Sequence, residues 1–490
     1  MIDPWSNNIK FSYDGLGRLH TVQVNDGEIA AYAYDVLGRL STVTVGARVF
    51  TYTYTGANTV PDHLTRPNGS VTYYTYDNLY RLMSIANQTS MGATINGNAY
   101  IYNKASMRTQ ETVTNGNPGF TTNAATYSYN NVNQLTHAGC SYDADGNMTQ
   151  WTINGIQYTA TYDAENRLKT VDYNDGTAHH AEFTYNADNF IAKQVIDGVE
   201  TRFVRNGYLC LQERDGNNIV TRSYVWDSIS PGGIGGLLEL TQGGAQYDYL
   251  YDGKGNVSAL IDANQNVVAS YTYDPFGVLL SQNLYNGFTG QPYQFSTKYY
   301  YTGLDLNYFG YRFDNSMIGR WITRDPKGEA GGINLYQEMA NSAINNVDAF
   351  GQDIWLEGPS PGEPEGHLSI NVGDPNGSYK SYSFGVNGQG FLEGEVYEDV
   401  NKGGNFYPGY YLNTAIEQDK AAQRYLDSLL GNEGQYSPWN TCRNFSIDEF
   451  NMLKKAGYGK PGNPPARKSN PNNPSYNVPW PLSSTVTNSN

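Results

Sequence analysis

A short motif that returns along the first 310 residues constrains the fold of this chain more than any other feature. Each copy opens with Tyr-Asp and continues with two variable residues, Gly or Asn, one further residue and Leu or Val. Close copies occupy residues 13–19, 34–40 and 76–82, and looser ones begin at Tyr142, Tyr162, Tyr185, Tyr251 and Tyr273. Adjacent copies lie roughly 20 to 23 residues apart, a period typical of proteins built from stacked structural repeats.

The motif predicts one β-hairpin in each repeat. Asp caps backbone N–H groups in a turn, and Gly or Asn tolerates the positive φ that a tight turn needs. The alternating runs beside the motif, such as residues 21–24 and 42–45, indicate strands with one buried face. Because a single hairpin cannot bury that face, the hairpins must stack, and we expect the tyrosine rings to stack from one unit to the next.

The composition agrees with an all-β body. The chain holds 43 Tyr and 53 Gly among 490 residues, and only 16% of its residues are charged, a balance opposite to that of disordered chains. The formal net charge of −16 disfavours general nucleic-acid binding. Cys140, Cys210 and Cys442 are too few and too far apart for a disulfide framework or a cysteine zinc site. We therefore expect no metal and no cofactor.

The repeats resemble the YD-repeats of RHS proteins and of the related toxin-complex C components, and the resemblance covers residues 1 to about 350. It implies that the repeats wind a long β-sheet into a hollow, shell-like cocoon around a C-terminal toxin. The expected fold is therefore mainly β, with a small α+β toxin domain after the shell. The expected domains are the repeat shell (1–310), a core plug (311–352), the α+β module (353–458) and a Pro/Asn-rich tail (459–490).

A segment that interrupts the repeat, residues 311–351, is similar to the RHS-associated core. The strings that carry the similarity are YRFD, GRWITRDP and NNVDAFG. The family resemblance implies that this segment closes the shell and cuts itself as an aspartyl protease. It places the two catalytic aspartates at Asp325 and Asp348 and the arginine at Arg312. The implied cut lies between Gly351 and Gln352.

The two aspartates also have a chemical rationale. Two neighbouring carboxylates do not both ionise cheaply, so one can hold a proton while the other activates water, and a guanidinium can hold the arrangement. The chain departs from the family pattern at Ala349, where proline is usual, and at Gln352, where an apolar residue is usual. The alternative is that both aspartates only cap turns, as an Asp before Pro or Gly commonly does.

The residue pattern changes after Gly351, and the new pattern predicts a separate α+β module. Prolines between 353 and 366 are typical of a linker. Residues 367–372 and 379–386 alternate as strands, and residues 414–430 have the apolar spacing of a helix.

The module contains one cysteine and one histidine, Cys442 and His367, which is the minimum set for thiolate catalysis. A thiolate nucleophile needs a nearby imidazole or a helix N-terminus at neutral pH. The order of the two residues, and the strings GHLSI and NTC around them, resemble circularly permuted papain-like enzymes, which implies that Cys442 is the nucleophile and His367 the base. Ser383 on the next strand is the favoured third residue, ahead of Asn371. The alternative is a buried cysteine and a surface histidine without a catalytic role.

Three functions agree with these features. In the first, an RHS-type toxin releases a thiol-dependent hydrolase or acyltransferase. In the second, the module is a nuclease, and the basic residues between 454 and 468 favour this function. Against it, residues 353–490 hold 15 acidic and 10 basic residues, and their net charge of −5 repels phosphate. In the third, the tyrosine-rich body is a cell-surface carbohydrate-binding protein without enzyme activity, and the plug with its cut site argues against it.

The family resemblance also implies partners. A producing cell needs a cognate immunity protein, and the toxin needs a delivery apparatus or an upstream shell component. The first residues show no basic or apolar signal region, and no run of about 18 apolar residues occurs. We therefore expect no membrane span, and secretion or delivery into target cells by a dedicated system.

Overall fold

The computed structural model describes residues 1–104, 106–116, 127–137, 139–326, 334–349 and 351, together with the backbone of six strands between 356 and 435. The chain divides into two compact units, Met1–Asp353 and Ile354–Asn490. In the described residues, helical structure is confined to three short 3-10 turns: Pro231–Gly233, Phe295–Thr297 and Met339–Asn341.

Two large antiparallel sheets form most of the first unit, and in each the strands pair in chain order. The ten-stranded sheet consists of β1 (Ile9–Tyr13), β2 (Leu19–Val24), β3 (Ile29–Tyr34), β4 (Leu40–Val45), β5 (Arg48–Thr53), β6 (His63–Thr65), β7 (Val71–Tyr76), β8 (Leu82–Gln88), β9 (Thr94–Tyr102) and β10 (Arg108–Thr114). The fourteen-stranded sheet consists of β11 (Ser141–Tyr142), β12 (Met148–Ile153), β13 (Ile156–Tyr162), β14 (Leu168–Asn174), β15 (Ala178–Tyr185), β16 (Ile191–Ile196), β17 (Val199–Asn206), β18 (Leu209–Asp215), β19 (Val220–Trp226), β20 (Leu237–Gln242), β21 (Ala245–Tyr251), β22 (Val257–Ile261), β23 (Val267–Tyr273) and β24 (Leu279–Leu284).

The Tyr-Asp motif forms the turn of a hairpin, as its residues predict. At the second copy, the backbone N–H groups of Leu37 and Arg39 donate to Oδ1 of Asp35, and Gly38 donates to the Asp35 carbonyl. Gly38 takes a φ of 80°, which its lack of a Cβ permits. Nε and Nη2 of Arg39 donate to Oδ2 of Asp35 at 2.7 and 2.6 Å. The same carboxylate therefore closes the turn and fixes the arginine.

Successive hairpins are joined by an arginine and a tyrosine. The Arg39 guanidinium lies 4.3 Å from the ring centre of Tyr54, and the Tyr54 hydroxyl donates to the Leu40 carbonyl at 2.9 Å. The same pairing recurs for Arg18 with Tyr34, Arg81 with Tyr102 and Arg167 with Tyr185. The ring partner at these units is thus an arginine of the preceding repeat, where the sequence predicted a tyrosine. A fixed guanidinium gains from both the carboxylate and the ring.

The two large sheets pack on each other through buried side chains. The Tyr32 hydroxyl donates to the Trp226 carbonyl at 3.0 Å, and Nη2 of Arg66 donates to the Tyr249 carbonyl at 2.9 Å. These bonds join β3 and the turn after β6 to β19 and β21. Aromatic and aliphatic side chains fill the space between the sheets. The core that a single hairpin lacks is thereby supplied by the opposite sheet.

A third sheet follows the repeats and carries the core segment. It has four short antiparallel strands, β25 (Tyr299–Tyr301), β26 (Leu306–Tyr308), β27 (Phe313–Asn315) and β28 (Arg320–Trp321). The Met148 N–H donates to the Ile322 carbonyl at 2.8 Å, and the Arg108 N–H donates to Oδ1 of Asn345 at 2.7 Å. The core segment therefore bonds to both large sheets.

The second unit contains two small antiparallel sheets. One pairs β29 (Leu356–Glu357) with β33 (Phe406–Tyr407), and the other holds β30 (Ile370–Gly373), β31 (Tyr379–Val386), β32 (Glu393–Asp399) and β34 (Glu433–Gln435). The bounds of β31 are those that the alternation predicts. The predicted helix at 414–430 lies outside the described residues. In the described part of the chain, no helix is long and apolar enough to cross a bilayer. The prediction of a mainly β fold is confirmed.

Candidate active site

Arg312 lies at the centre of the core segment. It ends the turn between β26 and β27, where Phe309 N–H donates to the Arg312 carbonyl at 3.0 Å and Gly310 takes a φ of 105°. The guanidinium carbon lies 4.2 Å from the ring centre of Trp321, and only 3% of Arg312 is exposed. Apolar packing on one face of a buried cation directs its hydrogen bonds to the other groups around it.

Both predicted aspartates meet this guanidinium. Nη2 of Arg312 lies 2.8 Å from Oδ2 of Asp325 and 3.8 Å from Oδ2 of Asp348. Asp325 follows β28, where its N–H donates to the Leu335 carbonyl at 2.8 Å. Asp325 and Asp348 are both buried. The structure thus brings together three residues that are separated by up to 36 positions in the sequence.

Gly351, on the amino side of the predicted cut, also contacts this group. Its carbonyl oxygen accepts a hydrogen bond of 2.6 Å from Nε of Arg312, and its N–H donates at 2.6 Å to Oδ1 of Asp348. Gly351 has a φ of 72°, and a Cβ there would lie 3.3 Å from the backbone N of Arg312. Asp348 therefore closes a turn, as the alternative interpretation expects, and its other oxygen faces the arginine. Gln352 lies outside the described residues.

One hydrogen-bond donor of the Arg312 guanidinium has no acceptor among the described residues. Nη1 of Arg312 is buried, and in the described structure it has no hydrogen-bond acceptor. A buried guanidinium N–H without a protein acceptor is costly, and such groups are usually satisfied by an ordered water. The atom is bonded to the same carbon as the two nitrogens that hold Asp325 and Gly351. The unpaired donor therefore belongs to the same guanidinium that contacts the carboxylates and the carbonyl.

Lys298 is a residue of this region that the motifs do not indicate. It is fully buried, and its Nζ donates to the Ala349 carbonyl at 2.7 Å and to the Gly232 carbonyl at 3.0 Å. The sequence offers one signal, since Lys298 is a single charge within the aromatic run 293–301, and a buried lysine requires partners.

A second pair of buried acids, Asp314 and Glu338, also lies in the core segment. Their carboxyl groups interact with each other and are shielded from solvent. Burial raises the pKa of Asp314 to about 7. Burial and the charge of Asp314 hold the pKa of Glu338 well above its usual range. Glu338 therefore still carries a proton at pH values where an exposed carboxyl group has lost its own.

The residues of the predicted thiol site are not brought together by the described structure. Cys442 and His367 lie outside the described residues, and Ser383 belongs to β31, where it pairs with Tyr397. The thiol site stays a prediction. Among the described side chains, no three His, Cys, Asp or Glu residues gather in a metal-binding arrangement.

Comparison with protein-family models finds no match for this chain. Among curated proteins, it is similar to the tRNA3(Ser)-specific nuclease WapA of Bacillus spizizenii, with 29% identity over 238 residues, which is 47% of this chain and 10% of the relative. The tRNA nuclease WapA of Bacillus subtilis is 27% identical over the same shares. The uncharacterised protein YlbH of Escherichia coli is 34% identical over 93 residues, or 19% of this chain and 39% of YlbH. The chain thus spans about a tenth of the length of the WapA proteins.

Among solved structures, the chain is similar to the TcdB2-TccC3-Cdc42 crystal structure, with a TM-score of 0.54 and 17% identity over 70% of this chain and 21% of that one. It is also similar to the Tc holotoxin pore of Photorhabdus luminescens, with a TM-score of 0.53, 17% identity and the same shares. These similarities establish the fold. The repeat body has the antiparallel shell fold of the Tc toxins, as the YD motif predicts.

Proposed function

We propose that residues 1–351 form the shell and plug of an RHS-type toxin, and that the plug cuts the backbone between Gly351 and Gln352. The observation that carries the proposal is the convergence on Arg312. One buried guanidinium contacts Asp325, Asp348 and the carbonyl oxygen of the residue at the cut. A turn cap alone requires only Asp348, and it gives no reason for a buried arginine and a second carboxylate at the same peptide.

The proposed reaction is hydrolysis by two carboxylates. A water molecule near Nη1 of Arg312 loses a proton to one aspartate, and its oxygen bonds to the carbonyl carbon of Gly351. Nε of Arg312 stabilises the negative charge that develops on the carbonyl oxygen. The C–N bond to Gln352 then breaks as the other aspartate supplies a proton to the leaving nitrogen. The products are a shell that ends in the Gly351 carboxylate and a module that begins with a free amine.

The fold supports a role in enclosing and delivering a toxin. The chain shares its shell fold with structures of Tc toxins, and its relatives include nucleases of the WapA type. In this proposal the protein is secreted or delivered into a target cell. An immunity protein protects the producer, and a delivery apparatus or an upstream shell component carries the toxin.

The decisive experiment compares four purified chains by intact mass. We expect the wild-type chain to yield two fragments that meet at Gly351 and Gln352, and we expect Asp325→Asn and Asp348→Asn to remain whole. Asp248→Asn is the matched control, because Asp248 is also a buried carboxyl group, and it lies in β21. Uncleaved wild-type protein, or cleavage in both core variants, would contradict the proposal.

For the module, we propose thiol catalysis with Cys442 as the nucleophile, His367 as the base and Ser383 orienting the imidazole. The module contains one cysteine and one histidine, which is the minimum set for thiol catalysis. We expect Cys442→Ala and His367→Ala to abolish toxicity in a cell that lacks the immunity protein. Cys140→Ala is the matched control, because Cys140 belongs to the shell. Full toxicity of Cys442→Ala would contradict the mechanism.

A nuclease is the second candidate for the module, and the names of the WapA relatives favour it. The two candidates differ in a direct assay. A nuclease degrades purified tRNA or plasmid DNA and continues to do so as Cys442→Ala, whereas a thiol hydrolase leaves nucleic acid intact. Degradation of either substrate by the Cys442→Ala chain would favour the nuclease over the thiol mechanism.

A further inference from the structure

The segment before the proposed cut is held by the shell as well as by the plug. Ala349 lies two residues before Gly351, and its carbonyl oxygen accepts a 2.7 Å hydrogen bond from Nζ of Lys298. The same ammonium donates to the Gly232 carbonyl at 3.0 Å. Gly232 belongs to the loop between β19 and β20 of the fourteen-stranded sheet. One buried cation therefore joins a shell loop to the chain that is cut.

The shell loop is itself tied to both large sheets. It spans residues 227–236 and is closed by a hydrogen bond of 2.8 Å from Asp227 N–H to the Gly236 carbonyl. The Asp227 carboxylate accepts from the Ser230 hydroxyl at 2.7 Å and from the Tyr52 hydroxyl of β5 at 3.2 Å. Packing of the ten-stranded sheet on the fourteen-stranded sheet thus fixes the loop that faces Ala349.

Contact between the loop and the cut segment is close. A Cβ added at Gly232 would collide with the carbonyl oxygen of Ala349. The position requires glycine for a second reason, because its φ is 58°. The backbone of the loop and the ammonium of Lys298 therefore form two sides of a cradle for the Ala349 carbonyl.

We propose that Lys298 and the 227–236 loop position the cut segment for self-cleavage, so that the plug cuts only after the shell sheets have packed. This inference rests on the proposed function. Lys298 is a positioning residue, because it holds the backbone two residues from the cut and does not contact the carbonyl that reacts. Its ammonium donates to the carbonyl oxygens of Ala349 and Gly232 and so fixes the peptide two residues before the cut. Displacement of reacting groups by about 1 Å lowers a rate by about a hundredfold, so the cradle acts on the rate through geometry.

A pair of glycine variants tests the inference with little change in chemistry. Gly232→Ala and Gly243→Ala both place a side chain at a positive φ, 58° and 59°, but only the first collides, since a Cβ at Gly243 meets nothing within 4 Å. The measured quantity is the cleaved fraction of monodisperse, folded protein over time after refolding. We expect Gly232→Ala to cleave about a hundredfold more slowly and Gly243→Ala to match wild type.

Substitutions of Lys298 provide the second test. Lys298→Met removes the donor and should slow cleavage of the folded protein, and Lys298→Arg, which keeps a donor, should recover part of the rate. Arg66→Met is the matched control, because Arg66 is a buried cation that also donates to a backbone carbonyl, at Tyr249, away from the plug. A purely structural role predicts equal losses of folded protein for both and equal cleavage per folded molecule.

The outcomes separate the two proposals. Uncleaved wild-type protein overturns self-cleavage and this inference together. Cleaved wild type with equal rates for Gly232→Ala and Gly243→Ala overturns the positioning role alone. If Lys298→Met fails to fold, the glycine pair still decides the question.

Discussion

Nε of Arg312 donates a hydrogen bond of 2.6 Å to the carbonyl oxygen of Gly351. The same side chain pairs with Asp325 through Nη2 at 2.8 Å. The arginine is therefore more than a counter-ion for the carboxylates, because one of its donors contacts the oxygen on which negative charge develops in the proposed hydrolysis. Planar guanidinium geometry allows both contacts at once, which a lysine ammonium does not reproduce.

The first prediction concerns the two Arg312 donors that contact Gly351 and Asp325. Arg312→Lys keeps the charge but loses the second directed donor, so we expect the cleavage rate to fall by about a hundredfold, as for loss of one oxyanion donor. The measurement is the cleaved fraction against time by intact mass. Arg320→Lys is the control, because Arg320 is equally buried in the core segment and donates to the Asn133 carbonyl. Equal rates for Arg312→Lys and wild type would show that Nε does not act on the carbonyl.

The second prediction concerns the Asp314 and Glu338 pair and the pH dependence of stability. Burial raises the pKa of Asp314 to about 7 and holds that of Glu338 well above its usual range. Both carboxyl groups of the native state therefore keep a proton that the unfolded chain releases above about pH 4. The free energy of unfolding of the first unit should fall as pH rises from about 4 to about 7, by about 1 kcal/mol per pH unit for each proton retained.

Glu338→Gln tests that slope. The amide keeps a donor beside Asp314 but carries no titrating proton, so the urea unfolding free energy of the variant should change less with pH over the same range. The comparison is the difference in slope between the variant and wild type. Identical slopes would show that the pair does not share a native-state proton.

The third prediction concerns the turn of the repeat. Asp163 accepts from the N–H groups of Glu165 and Arg167 through Oδ1, and from Nε and Nη2 of Arg167 at 2.7 Å through Oδ2. Asp163→Asn keeps the acceptor for the turn and loses the ion pair, at a cost of about 1 kcal/mol. Asp163→Ala loses both, at a cost of about 2 kcal/mol. Urea unfolding measures both values. Equal costs would show that the side-chain oxygen that accepts from the turn adds nothing to stability.

The acid side of the stability profile follows from the same carboxylate. Burial opposes ionisation of Asp163, but the hydrogen bonds from Arg167 outweigh it and leave the pKa of Asp163 below its usual value. A lowered pKa contributes stability above the unfolded value that is lost as pH falls through the folded one. This sign is opposite to that of the Asp314 and Glu338 pair, so the two effects are separable by pH.

Much of the fold is local in origin and could be predicted. The turn depends on Asp35, Gly38 and Arg39, which lie within five residues, so a short motif contains its whole chemistry. The partner of Tyr54 could not be predicted in the same way. Its choice of Arg39 over another ring depends on the ladder that sets neighbouring hairpins side by side, and many side chains compete for such a position.

The residues of the candidate site also divide into those that could be predicted and those that could not. Arg312, Asp325 and Asp348 are assigned from the resemblance of their segment to the RHS-associated core, and the structure brings both aspartates to Arg312. Lys298 and Gly232 were missed, because their contacts with Ala349 join parts of the chain that are distant in sequence. The available signal was one lysine within the aromatic run 293–301. A lysine that is buried in such a run needs polar partners, and these come from distant parts of the chain.

Folding the chain in water enriched in heavy oxygen tests the central claim most directly. Hydrolysis transfers the oxygen of the attacking water to the new carboxylate. Mass spectrometry of the shell fragment should therefore show a C-terminus at Gly351 that carries one heavy oxygen atom, with a partner fragment that begins at Gln352. A chain that remains whole, or one cut elsewhere by a contaminating protease, would contradict the account.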